Sequence, residues 1–228
     1  FINIPSNETL IYSEKQLRWY SENRDILFNT IVYNLVSDSE NGIYRTNDIS
    51  SNIINDILSM SSSPEIITGK DYFWMATTAN NFIKAINKQP RYSTNGIKSE
   101  PSGWRTILCS RNTKPIVIPI VNSSLFYYIW KCSSDGFNVT KGFVTELIQK
   151  LYSDIEDLRI KLYVELLTCL ERNSETHVRN QKTTGRTEIQ LFRVKPVKPI
   201  IDEIDTVLAR HYGFTEEELD FIINYDIK

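Results

Sequence analysis

The chain has 228 residues, which is enough for one well-packed core or for a larger domain with a small appendage. Its 26 Lys and Arg residues nearly balance 28 Asp and Glu residues, so the net charge of -2 taken alone argues against a polyanion partner. No apolar run approaches the roughly 20 residues that a membrane span needs. Three cysteines without metal-ligand spacing are typical of free thiols in a reducing cytosol.

The charges are distributed unevenly along the chain. Residues 70–141 hold ten basic and three acidic side chains, and residues 172–198 hold seven basic and two acidic ones. Residues 199–228 reverse the balance, with eight acidic against two basic side chains. Two basic stretches and an acidic tail suit a protein that holds a nucleic acid on one face and another protein surface elsewhere. An ordinary solvated surface explains the same asymmetry equally well.

The first sixty residues predict a strand and two helices. Residues 1–12 alternate as a strand does, and residues 21–36 carry apolar side chains at helical spacing. A capped helix is predicted over residues 47–58, and the Ser-Ser-Ser-Pro cluster at 61–64 favours a linker or hinge after it. The chain begins with Phe1 rather than Met, so we expect it to be a part of a longer protein.

Short strands and loops are predicted in the middle of the chain. After the aromatic run Tyr72–Trp74, residues 81–86 favour a short helix or turn and residues 89–101 a polar loop. Trp104–Ser110 and Pro115–Val121 alternate or run apolar, which is typical of buried strands of a mixed sheet.

A capped helix is predicted over Asn122–Trp130, with Asn122 or Ser123 as the capping side chain and the aromatic residues packed on the sheet. A Ser-Asp-Gly turn follows, in which Gly136 permits a sharp change of direction. One long helix is then predicted over residues 143–171, because apolar side chains follow one another four and three residues apart.

The remaining residues predict a loop, a strand and a helical hairpin. The basic segment Asn173–Arg186 favours a mobile loop, and Glu188–Lys195 favours a strand. Pro199 can begin a helix that Gly213 ends. Thr215 then caps a second, acidic helix through a capping box with Glu218.

Three separated segments resemble bacterial adenine-specific DNA methyltransferases and fused type IIG restriction-modification enzymes. They are residues 12–28, Asn122–Lys141 with its Asn-Ser-Ser-Leu-Phe opening, and Lys198–Lys228. The resemblance implies a C-terminal target-recognition region that binds duplex DNA, in a parent that methylates adenine N6 in the bacterial cytoplasm. It implies an α+β fold, with a small mixed sheet, packed helices, the long helix and the terminal hairpin.

The same resemblance implies an organisation of the chain. Residues 1–46 would end the upstream methyltransferase domain, residues 47–198 would form the recognition domain, and residues 199–228 the acidic hairpin. The partners would be double-stranded DNA and that upstream domain, with no membrane.

Neither the methyl-transfer chemistry nor a metal site is expected in this chain. An adenine methyltransferase needs a glycine-rich turn for S-adenosylmethionine and an Asn/Asp-Pro-Pro-aromatic motif, yet the sequence contains no Gly-x-Gly and no Pro-Pro pair. S-adenosylmethionine is therefore expected in the upstream domain. Two histidines without a cysteine pair do not predict zinc.

Basic side chains in or beside loops are the candidate DNA contacts, because phosphate and guanine contacts need Lys and Arg. The aromatic residues between Tyr72 and Trp130 favour core packing over base stacking. The candidate DNA-binding residues are Lys70, Arg91, Lys98, Arg105, Arg111, Lys131, Lys141, Arg179, Lys182 and Arg186.

Two other functions remain open from the sequence. A protein-interaction module would pair the apolar stripe from Val144 to Leu162 with a partner helix and dock its acidic tail on a basic surface. An independent nuclease would need carboxylates and a lysine around Mg²⁺, and Asp226–Lys228 is the nearby match, a motif short enough to arise by chance.

Overall fold

The computed structural model describes residues 12–13, 26, 29, 34–35, 46, 48–79 and 82–225. The strand predicted over residues 1–12, most of the helix predicted over 21–36, and Asp226–Lys228 lie outside these residues. Strand β1 (Tyr12–Ser13) pairs antiparallel with β2 (Asn34–Leu35), so the prediction that a helix continues to residue 36 is wrong.

Helices and antiparallel strands make up the described part of the chain, which confirms the α+β class. The helices are α1 (Asp48–Ser59), α2 (Lys114–Asn122), α3 (Ser124–Ser133), α4 (Lys141–Leu151), α5 (Tyr163–Arg172), α6 (Lys198–Tyr212) and α7 (Glu216–Ile223). The remaining strands are β3 (Asp71–Ala76), β4 (Ala85–Ile86), β5 (Tyr92–Thr94), β6 (Ile97–Lys98), β7 (Trp104–Cys109), β8 (Ser174–Gln181) and β9 (Gly185–Phe192).

The strands form separate sheets. One is three-stranded with the order β4-β3-β7, and another is four-stranded with the order β6-β5-β9-β8. Each pairing between described strands is antiparallel rather than mixed. None of the helices in the described part of the chain has the length and apolar character needed to cross a membrane.

Helix α2 is the centre of the hydrophobic core and replaces a predicted strand. Its residues from Ile116 to Asn122 are all buried. A short apolar run fits a buried helix as well as a buried strand, and Pro115 at the first turn favours the helix because its missing N–H has no partner there anyway. The prediction of a strand over Pro115–Val121 is therefore wrong.

The single long helix predicted over residues 143–171 is also wrong. Helix α4 ends at Leu151, and Tyr152 is extended at φ -73° and ψ 126°. The chain then turns and resumes as a π-helical segment, Leu158–Leu162, that leads into α5. Ser153 and Asp154, two residues that favour turns, lie at the break.

Polar segments that favoured loops form hairpins instead. The predicted mobile loop Asn173–Arg186 is mostly β8 and the turn into β9. Residues 89–101 contain β5 and β6, joined by Asn95 and Gly96 with φ of 52° and 81°. Residues 85–86 are strand β4 rather than helix. Sheets with solvent on both faces lack the apolar alternation that identifies a strand in sequence.

The terminal helical hairpin is confirmed. Helix α6 ends at Gly213, whose φ of 75° is left-handed, and Thr215 forms the capping box with Glu218 at the start of α7. Ile204 and Ile222 belong to the same hydrophobic cluster as the residues of α1 and α2. The hairpin therefore packs on the common core.

Candidate nucleic-acid interface

The four-stranded sheet stands largely outside the hydrophobic core. Among its described residues, only Phe192 belongs to the buried apolar cluster. Phe192 packs on Trp104 of β7 with their ring centroids 5.8 Å apart, and side chains from Glu175 to Asn180 along β8 are exposed. The sheet is thus attached at the Phe192 end, and its other end presents polar side chains to solvent.

The register of the strands sorts the side chains onto two faces, since residues directly opposite one another point the same way. On the first face, Thr94 lies opposite Thr187, which lies opposite Arg179. On the second face, Asn180 lies opposite Arg186. The β8–β9 hairpin therefore carries an arginine on each face near its turn.

A polar network fixes the attached end of the sheet. Gln190 donates to Glu171 Oε2 at 3.1 Å and to Ser174 Oγ at 2.8 Å. Arg91 donates through Nη1 to Glu171 Oε1 at 2.5 Å and through Nη2 to Ser174 Oγ at 3.0 Å. The hydrogen bond from Arg91 holds the pKa of Glu171 below its usual value. Arg91 consequently joins the sheet to the end of α5.

Asn95 joins the two turns at the free end of the sheet. Its side-chain Oδ1 accepts from the backbone N–H of Arg186 at 3.0 Å, and its own N–H donates to the Arg186 carbonyl at 2.8 Å. Gly185 has a left-handed φ of 76°, and a Cβ there would lie 2.4 Å from Asn95 Oδ1, so any other residue would strain the backbone and displace the Asn95 side chain. The hairpin end is held in one arrangement by these contacts.

The cations near this end differ in their partners. Arg186 pairs with Glu188 at 2.8 Å. Within the described ranges, no ion pair involves Arg179 or Lys182, and both side chains are exposed. Lys98 on β6 is exposed as well and lies opposite Ser93 on the second face. Arg179 and Lys182 are therefore open to an anion from solution.

A cleft of about 620 Å³ runs along the second face of the sheet. Its lining contains both cations and carboxylates, so its net charge is small. Such a cleft favours a polar ligand over a dense polyanion. The charged side chains that line it are Arg91, Lys98, Glu100 and Glu188, and Ser93 and Thr176 are among its polar ones.

The structure brings five of the ten candidate DNA-binding residues to this sheet. They are Arg91, Lys98, Arg179, Lys182 and Arg186. The other five lie elsewhere. Lys70 and Arg111 flank the end of the three-stranded sheet at which Asp71 pairs with Cys109.

The last three candidates lie around the loops at the opposite end of that sheet. Arg105 is on β7 and donates to the carbonyls of Ser102 and Trp104 at 2.9 and 2.8 Å. Lys131 is 5.3 Å from the Trp130 ring centroid and donates to the Gly136 carbonyl at 3.3 Å. Lys141 is exposed at the first residue of α4.

A buried polar cluster lies beneath the start of α3, where the Asn-Ser-Ser-Leu-Phe segment begins. Asn122 donates to the carbonyls of Ala85 and Ile118 at 2.9 and 2.8 Å and accepts from the Ala85 N–H at 3.2 Å. Ser123 Oγ accepts from the Phe126 N–H at 3.0 Å, which confirms the predicted cap. Asn122 therefore binds the end of helix α2 to strand β4, and Ser123 caps helix α3.

Asp205 completes this cluster from helix α6. Its carboxylate accepts from the backbone N–H groups of Ser124 at 3.1 Å and Leu125 at 3.0 Å. Burial raises the pKa of Asp205 to about 6, although the two amide bonds oppose that change. Two of the segments that carry the family resemblance therefore meet here, in a structural contact remote from solvent.

Sequence reasoning missed Asn95, although the Asn-Gly pair was a usable signal for a tight hairpin. It missed Gln190 as well, for which the sequence offers no signal because its partners come from α5 and β5.

Comparisons of the chain with protein-family models, with curated proteins and with solved structures give no match. The fold and site define a mixed α+β protein with a projecting, partly basic antiparallel sheet.

Proposed function

We propose that this chain binds duplex DNA as the target-recognition part of a site-specific adenine-N6 DNA methyltransferase or fused restriction-modification enzyme. The observation that supports this most is the β8–β9 hairpin, whose free end carries Arg179, Lys182 and Arg186 on both faces and at the turn. Three of the cations that were predicted in a loop thus belong to one solvent-exposed hairpin.

The tip of the hairpin suits the major groove, which admits a two-stranded antiparallel ribbon. Strand β5 pairs with β9 only as far as Thr187, so the pairs Asn180 with Arg186 and Gln181 with Gly185, and the turn between them, form a ribbon of two strands. A ribbon in the groove has a phosphate backbone on either side, so cations on opposite faces can contact both strands. Asn180 and Arg186 lie across from one another and offer hydrogen bonds to base edges.

The catalytic part of this proposal rests on the resemblance. The chain lacks the glycine-rich turn and the Pro-Pro motif, so its residues do not fit S-adenosylmethionine and no step of methyl transfer is assigned to them. In the proposal, a methyltransferase domain of the same parent holds the cofactor, and this chain selects the DNA sequence.

The protein-interaction alternative loses its central element in this fold. Val144, Ile148, Leu158 and Leu162 of the proposed stripe are all buried within the chain. Of that hypothesis only the acidic helix α7 remains available, with Glu216 and Glu217 exposed.

A comparison of two charge-reversal pairs tests DNA binding. Arg179→Glu with Lys182→Glu changes the hairpin end, while Lys195→Glu with Arg210→Glu makes the same charge change at exposed sites outside the sheet. Affinity for a random-sequence duplex is measured over a range of salt concentrations. We expect the hairpin pair to reduce the slope of log affinity against log salt by about 2, since each phosphate contact contributes roughly 0.9. Equal loss in both pairs, or no binding by the wild type at low salt, would contradict the proposal.

A further inference from the structure

Phe137 is the most exposed large apolar side chain in the described part of the chain, with 74% of its surface accessible. It follows the Ser-Asp-Gly turn between α3 and α4. An aromatic ring that stands in water gains nothing for folding, so its exposure is informative when the backbone around it is well fixed.

Hydrogen bonds fix the backbone on both sides of Phe137. Asp135 Oδ1 accepts from the N–H groups of Phe137 at 2.8 Å and Asn138 at 3.0 Å. Trp130 Nε1 donates to the Asn138 carbonyl at 3.3 Å. The N–H of Val139 donates to the Thr77 carbonyl at 2.9 Å. These bonds fix the backbone of the loop, so little backbone freedom is lost when a partner binds Phe137.

The charges around Phe137 suit a nucleic acid. Lys131 donates to the carbonyl of Gly136, the residue before Phe137, and Lys141 is exposed at the start of α4, just after the loop in sequence. Asp135 is the single acidic residue between them in sequence, and two backbone N–H groups bind its carboxylate. A ring flanked by two lysines is typical of surfaces that stack on bases and contact phosphates.

The Phe137 loop is connected to the proposed DNA-binding sheet. Thr77, which binds the loop through Val139, donates from its N–H to the Gly103 carbonyl at 2.9 Å. Gly103 is only five residues beyond Lys98 of β6, a distance of at most about 18 Å for an extended chain. The Phe137 loop is therefore joined through Thr77 to the segment that leads from β6 of this sheet into β7.

We infer that Phe137 is an apolar wedge that enters the base stack of bound DNA, with Lys131 and Lys141 directed to the neighbouring phosphates. The inference rests on the proposed function. Phenylalanine is one of the side chains that proteins insert between base steps, and the insertion unstacks and unwinds the duplex locally.

Unwinding of closed circular DNA tests the wedge without knowledge of the target sequence. A plasmid is relaxed by a topoisomerase in the presence of the protein, and the change in linking number is measured beside the affinity for a linear duplex. We compare the wild type with Phe137→Ala, with Phe137→Leu, which keeps an apolar wedge, and with Val164→Ala, which shortens another exposed apolar side chain on α5. Thermal unfolding checks that each variant is folded.

We expect Phe137→Ala to abolish the change in linking number and to weaken affinity about 10-fold, within the range found for base stacking on aromatic side chains. Phe137→Leu should keep most of the unwinding, and Val164→Ala should equal the wild type. Unchanged unwinding in Phe137→Ala overturns the wedge and leaves DNA binding intact. Loss of self-association in that variant, with unwinding retained, shows a protein contact and also overturns it. Failure of the wild type to bind any duplex overturns the proposed function itself.

Discussion

The buried cluster beneath α3 and the free end of the four-stranded sheet are both rich in polar side chains, yet their surroundings are opposite. Asn122, Ser123 and Asp205 are almost without solvent exposure, and each has hydrogen-bond partners inside the chain. Arg179 and Lys182 are exposed and have no ion pair within the described ranges. Hydrogen bonds within the chain allow few other residue types at the buried positions. At the two exposed positions, only an external partner would limit which residue types are allowed.

The difference separates the buried contact between two resembling segments from the β8–β9 hairpin that carries the proposed DNA contacts. The two segments meet where Asp205 binds the start of α3, and the hairpin lies outside all three segments. The proposed wedge Phe137 lies within the second segment but is exposed and outside the buried cluster. Substitutions in the cluster should therefore act on stability, and substitutions in the sheet on DNA affinity.

The largest expected effect is that of Asp205→Ala. Two buried N–H groups lose their acceptor and the side chain leaves a gap, so we expect the free energy of unfolding to fall by about 3–5 kcal/mol. Urea denaturation measures the loss. Glu203→Ala removes an exposed carboxylate from the same helix, where the solvent-exposed ion pair with Lys161 contributes little to stability. Similar losses of unfolding free energy in Asp205→Ala and Glu203→Ala would show that the buried cluster contributes no more to stability than an exposed ion pair does.

The pH dependence of stability sharpens the same point. Burial raises the pKa of Asp205 from 3.8 to about 6, so over this interval the folded state retains a proton that the unfolded chain has released. The contribution of the protonated Asp205 to folding stability is fully present below pH 4 and is lost as the pH rises through 6. Relative to Asp205→Asn, the wild type should lose on the order of 1.4 kcal/mol per pH unit from pH 4 to 6 and stay level above. If the stability of the wild type relative to Asp205→Asn instead rose with pH, the hydrogen bonds from the two backbone amides would have a larger effect on the pKa of Asp205 than burial has.

A smaller and local effect is expected from Asn95→Gly. Glycine keeps the left-handed turn and the backbone bond to the Arg186 carbonyl, but removes the side-chain bonds to the Arg186 N–H and the Thr184 carbonyl. Global stability should therefore fall by about 1 kcal/mol. The Arg186 amide should exchange with solvent faster, while amides of α3 stay protected. Hydrogen exchange followed by NMR measures both. Unchanged exchange at Arg186 would show that Asn95 does not hold the hairpin end.

Local signals predicted the ends of helices well. Ser123, Gly213 and Thr215 act where the sequence places them, because capping depends on neighbours within a few residues. The interior of the fold was less predictable. The apolar run of α2 fits strand and helix alike, and the break at Tyr152 interrupts an apolar pattern that continues on both sides of it.

The candidate site was predicted in part. The basic stretch around Arg179, Lys182 and Arg186 was found, but its strand structure was not, since its pairing residues form a sheet with little apolar burial. Lys98 and Arg179 belong to one sheet only through pairings between strands about ninety residues apart in sequence. Such long-range pairing has no local signature.

Hydrogen–deuterium exchange with and without duplex DNA tests the central claim most directly, because it compares both regions in one experiment. At low salt, the account predicts that DNA slows exchange in residues 177–187 of the hairpin and leaves residues 122–126 of the buried cluster unchanged. Protection confined to α7 or to the cluster, with the hairpin unaffected, would contradict the account.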